Sequence, residues 1–417
     1  MSLDVNYIRD KFPSLQVEAN GYKPGFFDGP GGTQAPQSVM EAMNDYLIKA
    51  NANKHGPFET SKRTDEIIFD ARKAMADFLG CNWNEIAFAE NTTTNIYKLA
   101  AALRRQLSKG DEILITEMDH EANRGPWLAL EETGINVKEV KFDTETCTLD
   151  LEDYKSKLSD KTKVVAFVYA SNATGTINPV NEMITMAKEV NAITVVDAVH
   201  YALHGPIDVK EIDVDFLLCS VYKFFGPHLG VIYGKKNVFE ELNPLRLRPQ
   251  GDKVPEKFET GTKNHEGIAG TIATIDFIAD LGDKFGEPVS ERYKDASERR
   301  KNIISAMNAI DDYERPLTKK IIDGISMIDG INIYRPPSDT PCTSTISFDI
   351  EGKNSNDVAE KLNDKGLFVW AGDFYATRLV ERLGLHHKGG LVRIGLAPYN
   401  TEKEVKRLTK EIQSINK

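Results

Sequence analysis

The chain has 417 residues, enough for two domains and for a core that buries roughly 75% of the unfolded surface. Lysine and arginine total 52 against 63 aspartate and glutamate, a formal net charge of -11 that argues against nonspecific binding to nucleic-acid phosphates. No stretch approaches about 18 uninterrupted apolar residues, and the opening MSLDVNYIRDKFPSL lacks a signal-peptide core, so no membrane partner and a soluble cytoplasmic protein are expected.

Strand-length apolar runs alternate with helical patterns along the first part of the chain. Residues 85–89 read as a strand and 95–106 as a helix. Strands are expected at 111–116, 136–142 and 164–169, a helix at 183–189, and further strands at 193–196 and 216–219. Residues 229–234 add a hairpin partner or an edge strand. This alternation favours an α/β fold with a mainly parallel sheet.

After about residue 285 the pattern changes. Amphipathic helices are expected over 291–313 and 317–328, and strands over 343–348, 366–370 and 391–396. Asn354 or Ser355 is suited to cap a helix reaching Asn363, and 402–413 reads as a terminal helix. The expected division is an N-terminal segment 1–26 packing with the small domain, a large domain 27–285 and a smaller C-terminal α/β domain 286–417.

Asp197 ends a run of four β-branched residues, and Lys223 follows the run ending at Ser220. A lysine that forms a Schiff base and an aspartate that pairs with a pyridine nitrogen are what a pyridoxal 5'-phosphate (PLP) site needs. Taken alone, the lysine reads as a solvated strand end and the aspartate as a strand terminator. Asn91-Thr92-Thr93-Thr94 before a helix is suited to a phosphate, and equally to an ordinary cap. Ser220 adds a hydroxyl beside Lys223, beyond the strand carboxyl ends where α/β sites form. His200 is placed to reach the phenolic edge of a PLP ring and His120 to stack on its face. Each also reads as a structural or surface histidine. No zinc spacing occurs and Cys81, Cys147, Cys219 and Cys342 show no CxxC pattern, so no metal is expected and the thiols are read as reduced.

Together these segments resemble the class V aminotransferase family of fold-type I PLP enzymes, particularly its cysteine desulfurase branch. The similarity runs from about Phe27 to Asn400. It rests on Thr92-Thr93, Glu117-Met118-Asp119-His120 with Asn123 and Pro126-Trp127, Ser171-Asn172 with Gly175-Thr176, Asp197, His200, His204, Ser220-Val221-Tyr222-Lys223 with Gly226-Pro227, and Glu259-Thr260-Gly261-Thr262.

The resemblance implies a fold-type I PLP-dependent transferase fold and a homodimer. It implies that Lys223 holds the cofactor, Asp197 binds its ring nitrogen and His120 stacks over the ring, these three being the catalytic residues. Asn172 lies near the ring or substrate, and His200 contacts the cofactor. Thr92 contacts the cofactor, and Thr93, Ser220 and Tyr222 hold its phosphate, with Thr262 reaching across from a second subunit. Arg393 matches the arginine that binds the substrate carboxylate, and its planar fork suits that task. Without the resemblance it reads as a surface or salt-bridge residue. Gly31 and Gly32 match the segment that borders the substrate. Family desulfurases carry Gln at the His200 position and His at the Tyr222 position.

One departure matters for the reaction. Where a cysteine desulfurase presents its nucleophilic cysteine, this chain has Trp370-Ala371-Gly372-Asp373-Phe374-Tyr375-Ala376, with Tyr375 in the cysteine's place. A tyrosine cannot carry sulfur as a persulfide, and only a spatial approach by Cys342 would restore a thiol. The expectation is a PLP enzyme acting on a small amino acid through an aldimine and a carbanion, not a persulfide-forming desulfurase. A transaminase, a racemase or epimerase, and an inactive PLP-binding interaction protein are the alternatives.

Overall fold

The structure, a computed structural model, describes residues 3–416. Among these, a seven-stranded sheet has the spatial order Ile86–Ala89, Gly230–Gly234, Phe216–Ser220, Ile193–Asp197, Thr162–Val168, Glu112–Thr116, Asn136–Val140. All strands run parallel except Gly230–Gly234, which is antiparallel to both neighbours. The central strands are buried along nearly all of their length because both faces are covered. Val195 and Val164 face one apolar cluster while Val196 and Val165 face another. Burial on both sides is why these strands read as continuous apolar runs and not as alternating ones.

A second sheet orders Ile331–Tyr334, Thr345–Ile350, Leu391–Gly395 and Trp370–Gly372, all antiparallel. The chain is thus α/β with a large, mostly parallel sheet, as expected, and among the described residues no helix is long and apolar enough to cross a membrane. The N-terminal segment contacts both parts. Ile8 and Phe12 lie in the larger core, while Arg9 Nη1 donates to Glu404 Oε1 at 3.0 Å.

Several local expectations are corrected. Gly230–Gly234 is the hairpin partner of Phe216–Ser220 but lies inside the sheet, because Ile86–Ala89 pairs along its other side and takes the edge. The two helices expected over 291–313 and 317–328 are one, Glu298–Ile325, running through Pro316. Proline forfeits one helical bond and costs about 3 kcal/mol inside a helix. Here Ile303, Ile310, Leu317, Ile321 and Ile325 form one buried face across it, and that burial outweighs the break.

The single strand expected over 366–370 is two. Leu367–Phe368 pairs in parallel with Gly25–Phe26, and Trp370–Gly372 joins the small sheet. Helices Gln37–Lys49, Glu59–Leu79 and His265–Phe285, which pack on one another, had no counterpart in the sequence reading. The last is buried on most sides, so its apolar period is blurred.

Candidate active site

A cavity of about 730 Å³ lies beyond the carboxyl ends of the parallel strands. Asp197 is the last residue of its strand, and Ser220 ends the neighbouring one. A tight turn, Val221–Phe224, then carries Lys223 into the cavity. Lys223 Nζ donates to the carbonyl of Pro30. Burial, with help from Arg393, pushes its amine down to about 7, against the opposing pull of Asp197 and Asp28. Asp197 accepts from the Val199 N–H at 2.9 Å, and burial pushes its carboxyl up to about 6.

At one end of the cavity Thr92 Oγ1 and Ser220 Oγ are 2.7 Å apart. Thr92 begins the helix Thr92–Arg104, capped by Asn91 Oδ1 accepting from the Thr94 N–H at 2.8 Å. The N–H groups of the first helical turn have no partner within the helix, an arrangement that attracts anions. Gly230 makes this geometry possible, since a Cβ there would stand 2.3 Å from the Asn91 carbonyl carbon. Thr93 and Tyr222 also line the cavity, and the Tyr222 ring stacks on His228 with centroids 5.0 Å apart.

The opposite wall comes from the small sheet. Arg393 is buried, donates from Nη1 to the Asn172 carbonyl at 3.0 Å, and lies 4.1 Å over the Phe374 ring. Burial lowers its guanidinium to about 9, partly offset by Asp28 and Tyr222. Asn172 Nδ2 donates to the Phe374 carbonyl at 2.9 Å, while its Oδ1 is buried with no protein partner.

Phe374 and Tyr375 both take left-handed backbone angles, φ 56° and 58°, costly for non-glycine residues. The Glu121 N–H holds this loop by donating to the Tyr375 carbonyl at 2.6 Å. The loop is also clamped from its far side, where Arg378 Nη2 and Arg382 Nε reach the buried Glu117 carboxylate at 2.9 and 3.0 Å. His120 lies under Tyr375 in a stacked arrangement, and its Nδ1 accepts from the Ala122 N–H at 3.0 Å. Burial, then Lys223 and Arg393, push its imidazole down to about 4.

Lys223, Asp197, His120, Asn172, His200, Thr92, Thr93, Ser220, Tyr222, Tyr375, Arg393 and Gly31 therefore share one cavity. Gly32 lines an adjoining hollow of about 490 Å³. Thr262 is exposed and outside the cavity of its own chain. Cys342 does not approach the loop; its Sγ lies 3.7 Å from the Thr174 carbonyl, and burial pushes the thiol up to about 11. Burial likewise raises Cys81, Cys147 and Cys219, and none of the four lines the cavity.

Asp28 was missed as a site residue. It is half-buried, with Oδ1 buried and unpartnered, and its carboxyl is pushed up by desolvation to about 6 despite Arg393 and Lys223 nearby. A lone acid inside a Gly/Pro turn was its only signal, and the turn drew attention to its glycines instead.

A mostly parallel sheet with a lysine and an aspartate at neighbouring strand ends, facing an anion-binding helix start, defines the fold-type I PLP enzymes. The donor set fits that cofactor: an amine, a buried acid, a hydroxyl pair at a helix start, a stacking imidazole and the unpartnered Asn172 Oδ1. The family model described as aminotransferase class-V matches residues 25–299 and 302–408, and the chain belongs to that family, whose cofactor is PLP.

The chain is 31% identical over 427 residues to a probable cysteine desulfurase of Halalkalibacterium halodurans, covering 99% of this chain and 98% of the relative. It is 30% identical over 429 residues to an aminotransferase-like protein of Gibberella zeae, covering 99% of each. The solved apo structure of a cysteine desulfurase from Thermococcus onnurineus NA1 superposes with a TM-score of 0.86 at 28% identity, over 100% of this chain and 98% of the other.

Proposed function

We propose that this enzyme catalyses a reaction at Cα of a small L-amino acid without forming a protein persulfide. The observation carrying this reading is the convergence of Lys223, Asp197 and Arg393 on a cavity that Tyr375 borders and no cysteine lines. Relatives named cysteine desulfurase favour cysteine among the substrates to try. The raised thiols of all four cysteines weigh against a nucleophilic one, because only a thiolate accepts sulfur readily.

When bound, PLP supplies an electron sink for the charge left at Cα as a bond there breaks. The remaining work falls to side chains. Arg393 grips the substrate carboxylate through its fork, already oriented by the Asn172 carbonyl and the Phe374 ring. Lys223 Nζ removes the α-proton and can return it, and an amine lowered to about 7 is matched to that exchange near neutrality. Asp197 holds a proton on the ring nitrogen. His120, with Nδ1 occupied by the Ala122 N–H, carries its own proton on Nε2 when neutral. Thr92, Thr93, Ser220 and Tyr222 hold the phosphate.

The same reading takes the chain as a cytoplasmic homodimer with parts 1–26, 27–285 and 286–417. Thr262, exposed and away from its own cavity, is suited to serve the partner's phosphate site.

The test is an absorbance scan of PLP-loaded protein during addition of a panel of L-amino acids, with products identified by mass spectrometry. A spectral shift with one amino acid and release of a keto acid, an eliminated product or the D-isomer supports the reading and names the reaction. Persulfide on the protein after cysteine addition overturns it. An intact visible band with no turnover across the panel favours an inactive PLP-binding protein.

A further inference from the structure

The turn that follows strand Glu112–Thr116 faces two ways. On its inner side His120 and the Glu121 N–H meet Tyr375. On its outer side Glu117, only 4% exposed, faces the helix Thr377–Arg382 that continues the Tyr375 loop. Arg378 Nη2 donates to Glu117 Oε1 at 2.9 Å, and Arg382 Nε lies 3.0 Å from Oε2. A spacing of four puts both arginines on one face of the helix, a turn apart. Arg378 also lies 3.4 Å from Glu139, which Arg124 shares at 3.1 Å, and 3.7 Å from Glu381. Among the described residues, Glu117 is the one carboxylate that pairs with Arg382.

The helix has six residues, too few to be stable by itself. Ahead of it stand the two left-handed residues Phe374 and Tyr375, a conformation that persists only where its surroundings fix it. Asp373 braces the turn from within, Oδ1 accepting from the Tyr375 N–H and Oδ2 from the Thr377 hydroxyl, both at 2.9 Å. Three ties reach it from around the larger sheet: Asn172 Nδ2 on the Phe374 carbonyl, the Glu121 N–H on the Tyr375 carbonyl, and Glu117 on the two arginines. The first two are single hydrogen bonds between neutral groups. Glu117 meets two guanidiniums, which stay charged at any working pH, and bonds to charged donors are roughly twice as strong. What the ties hold is the ring of Phe374, 4.1 Å from the Arg393 guanidinium.

We propose that Glu117 is a positioning residue for the amino-acid substrate. By holding Arg378 and Arg382 it fixes the strained Phe374–Tyr375 turn, and so the surface on which Arg393 rests. The proposal depends on the reading above that Arg393 takes the substrate carboxylate.

The test uses full-length, PLP-loaded protein and three variants, Glu117→Gln, Arg378→Ala and Arg382→Ala. The arginines are more than a third exposed, so their variants provide the reading if Glu117→Gln does not fold. The first readout is chymotryptic cleavage after Phe374 and Tyr375, located by mass spectrometry. It should quicken about tenfold in Glu117→Gln, the worth of a lost charge-assisted hydrogen bond, and less in each arginine variant. Cuts after the exposed residues Phe58 and Trp83 should keep their wild-type rates. Adding Glu117→Gln to the double arginine variant should quicken loop cleavage no further, because the partners are already gone. The second readout is turnover of the amino acid that the panel identifies. KM should rise about tenfold while kcat stays within about twofold, and the visible band should persist.

Unchanged loop cleavage overturns the proposal, and so does an equal rise at Phe58 and Trp83, which would mean general loosening. Faster loop cleavage with an unchanged KM overturns it too, since the loop would then be held without serving the substrate. Wild-type protein with no visible band, or with a band but no turnover across the panel, overturns the functional reading first and this proposal with it.

Discussion

The ring of Tyr375 lies against the imidazole of His120, with centroids 5.4 Å apart and planes 24° from parallel. Tyr375 is thus packed on the group proposed to cover the cofactor. Its backbone is pinned by Glu121 and its side chain is 69% exposed. Its ring lies as a plate over His120.

Tyr375→Ala removes that plate. An aromatic pair contributes about 0.5–1.5 kcal/mol, so PLP affinity should fall about two- to tenfold, measured by equilibrium dialysis. Tyr375→Phe keeps the ring and should bind like wild type. If Phe binds as weakly as Ala, the hydroxyl and not the stack is what matters.

Arg393→Lys keeps the charge but loses the fork. The visible band should survive while KM for the amino-acid substrate rises about ten- to a hundredfold, the worth of a charge-assisted hydrogen bond. Steady-state kinetics on the reconstituted variant checks this, and an unchanged KM would remove Arg393 from carboxylate binding.

On the role proposed for Lys223, its amine sets the pH at which apo protein takes up its cofactor. Its amine is lowered to about 7, chiefly by burial, so the neutral nucleophilic form predominates above that pH. Stopped-flow measurement of band growth after PLP addition should show a rate that climbs with pH and levels off above about 7. A rate that keeps climbing toward pH 10 would mean an ordinary, solvated lysine.

Thr92→Val and Ser220→Ala each remove half of one hydroxyl pair. Each should weaken PLP binding about tenfold, in line with the loss of one well-made hydrogen bond. Because the two hydroxyls are 2.7 Å apart, the double variant should lose less than the product of the two. Full additivity would place them in separate contacts.

What the sequence made legible were residues ending buried strands. Asp197 and Ser220 stand out because a polar residue closes an uninterrupted apolar run, and Lys223 follows one turn later. The Thr92 helix was legible too, though it begins three residues earlier than its apolar period suggests, because the cap at Asn91 sets the start. Contacts made across the fold left no local trace. Whether Gly230–Gly234 is an edge strand is decided by Ile86–Ala89, and Glu314 finds His204 from a distant helix. Arg393 over Phe374 joins two segments whose mutual orientation only the small sheet defines.

Gly25–Phe26 is hydrogen-bonded to Leu367–Phe368, and Asp28 bridges Gly395. Pro30, whose carbonyl holds the Lys223 amine, and Gly31, which a Cβ would drive to 2.7 Å from Trp370 Nε1, are therefore mounted on the same piece as Arg393. That piece is a single lever built from both ends of the chain. Unpairing Gly25–Phe26 from Leu367–Phe368 would therefore disturb two things together: the Pro30 carbonyl beside Lys223 and the wall that carries Arg393.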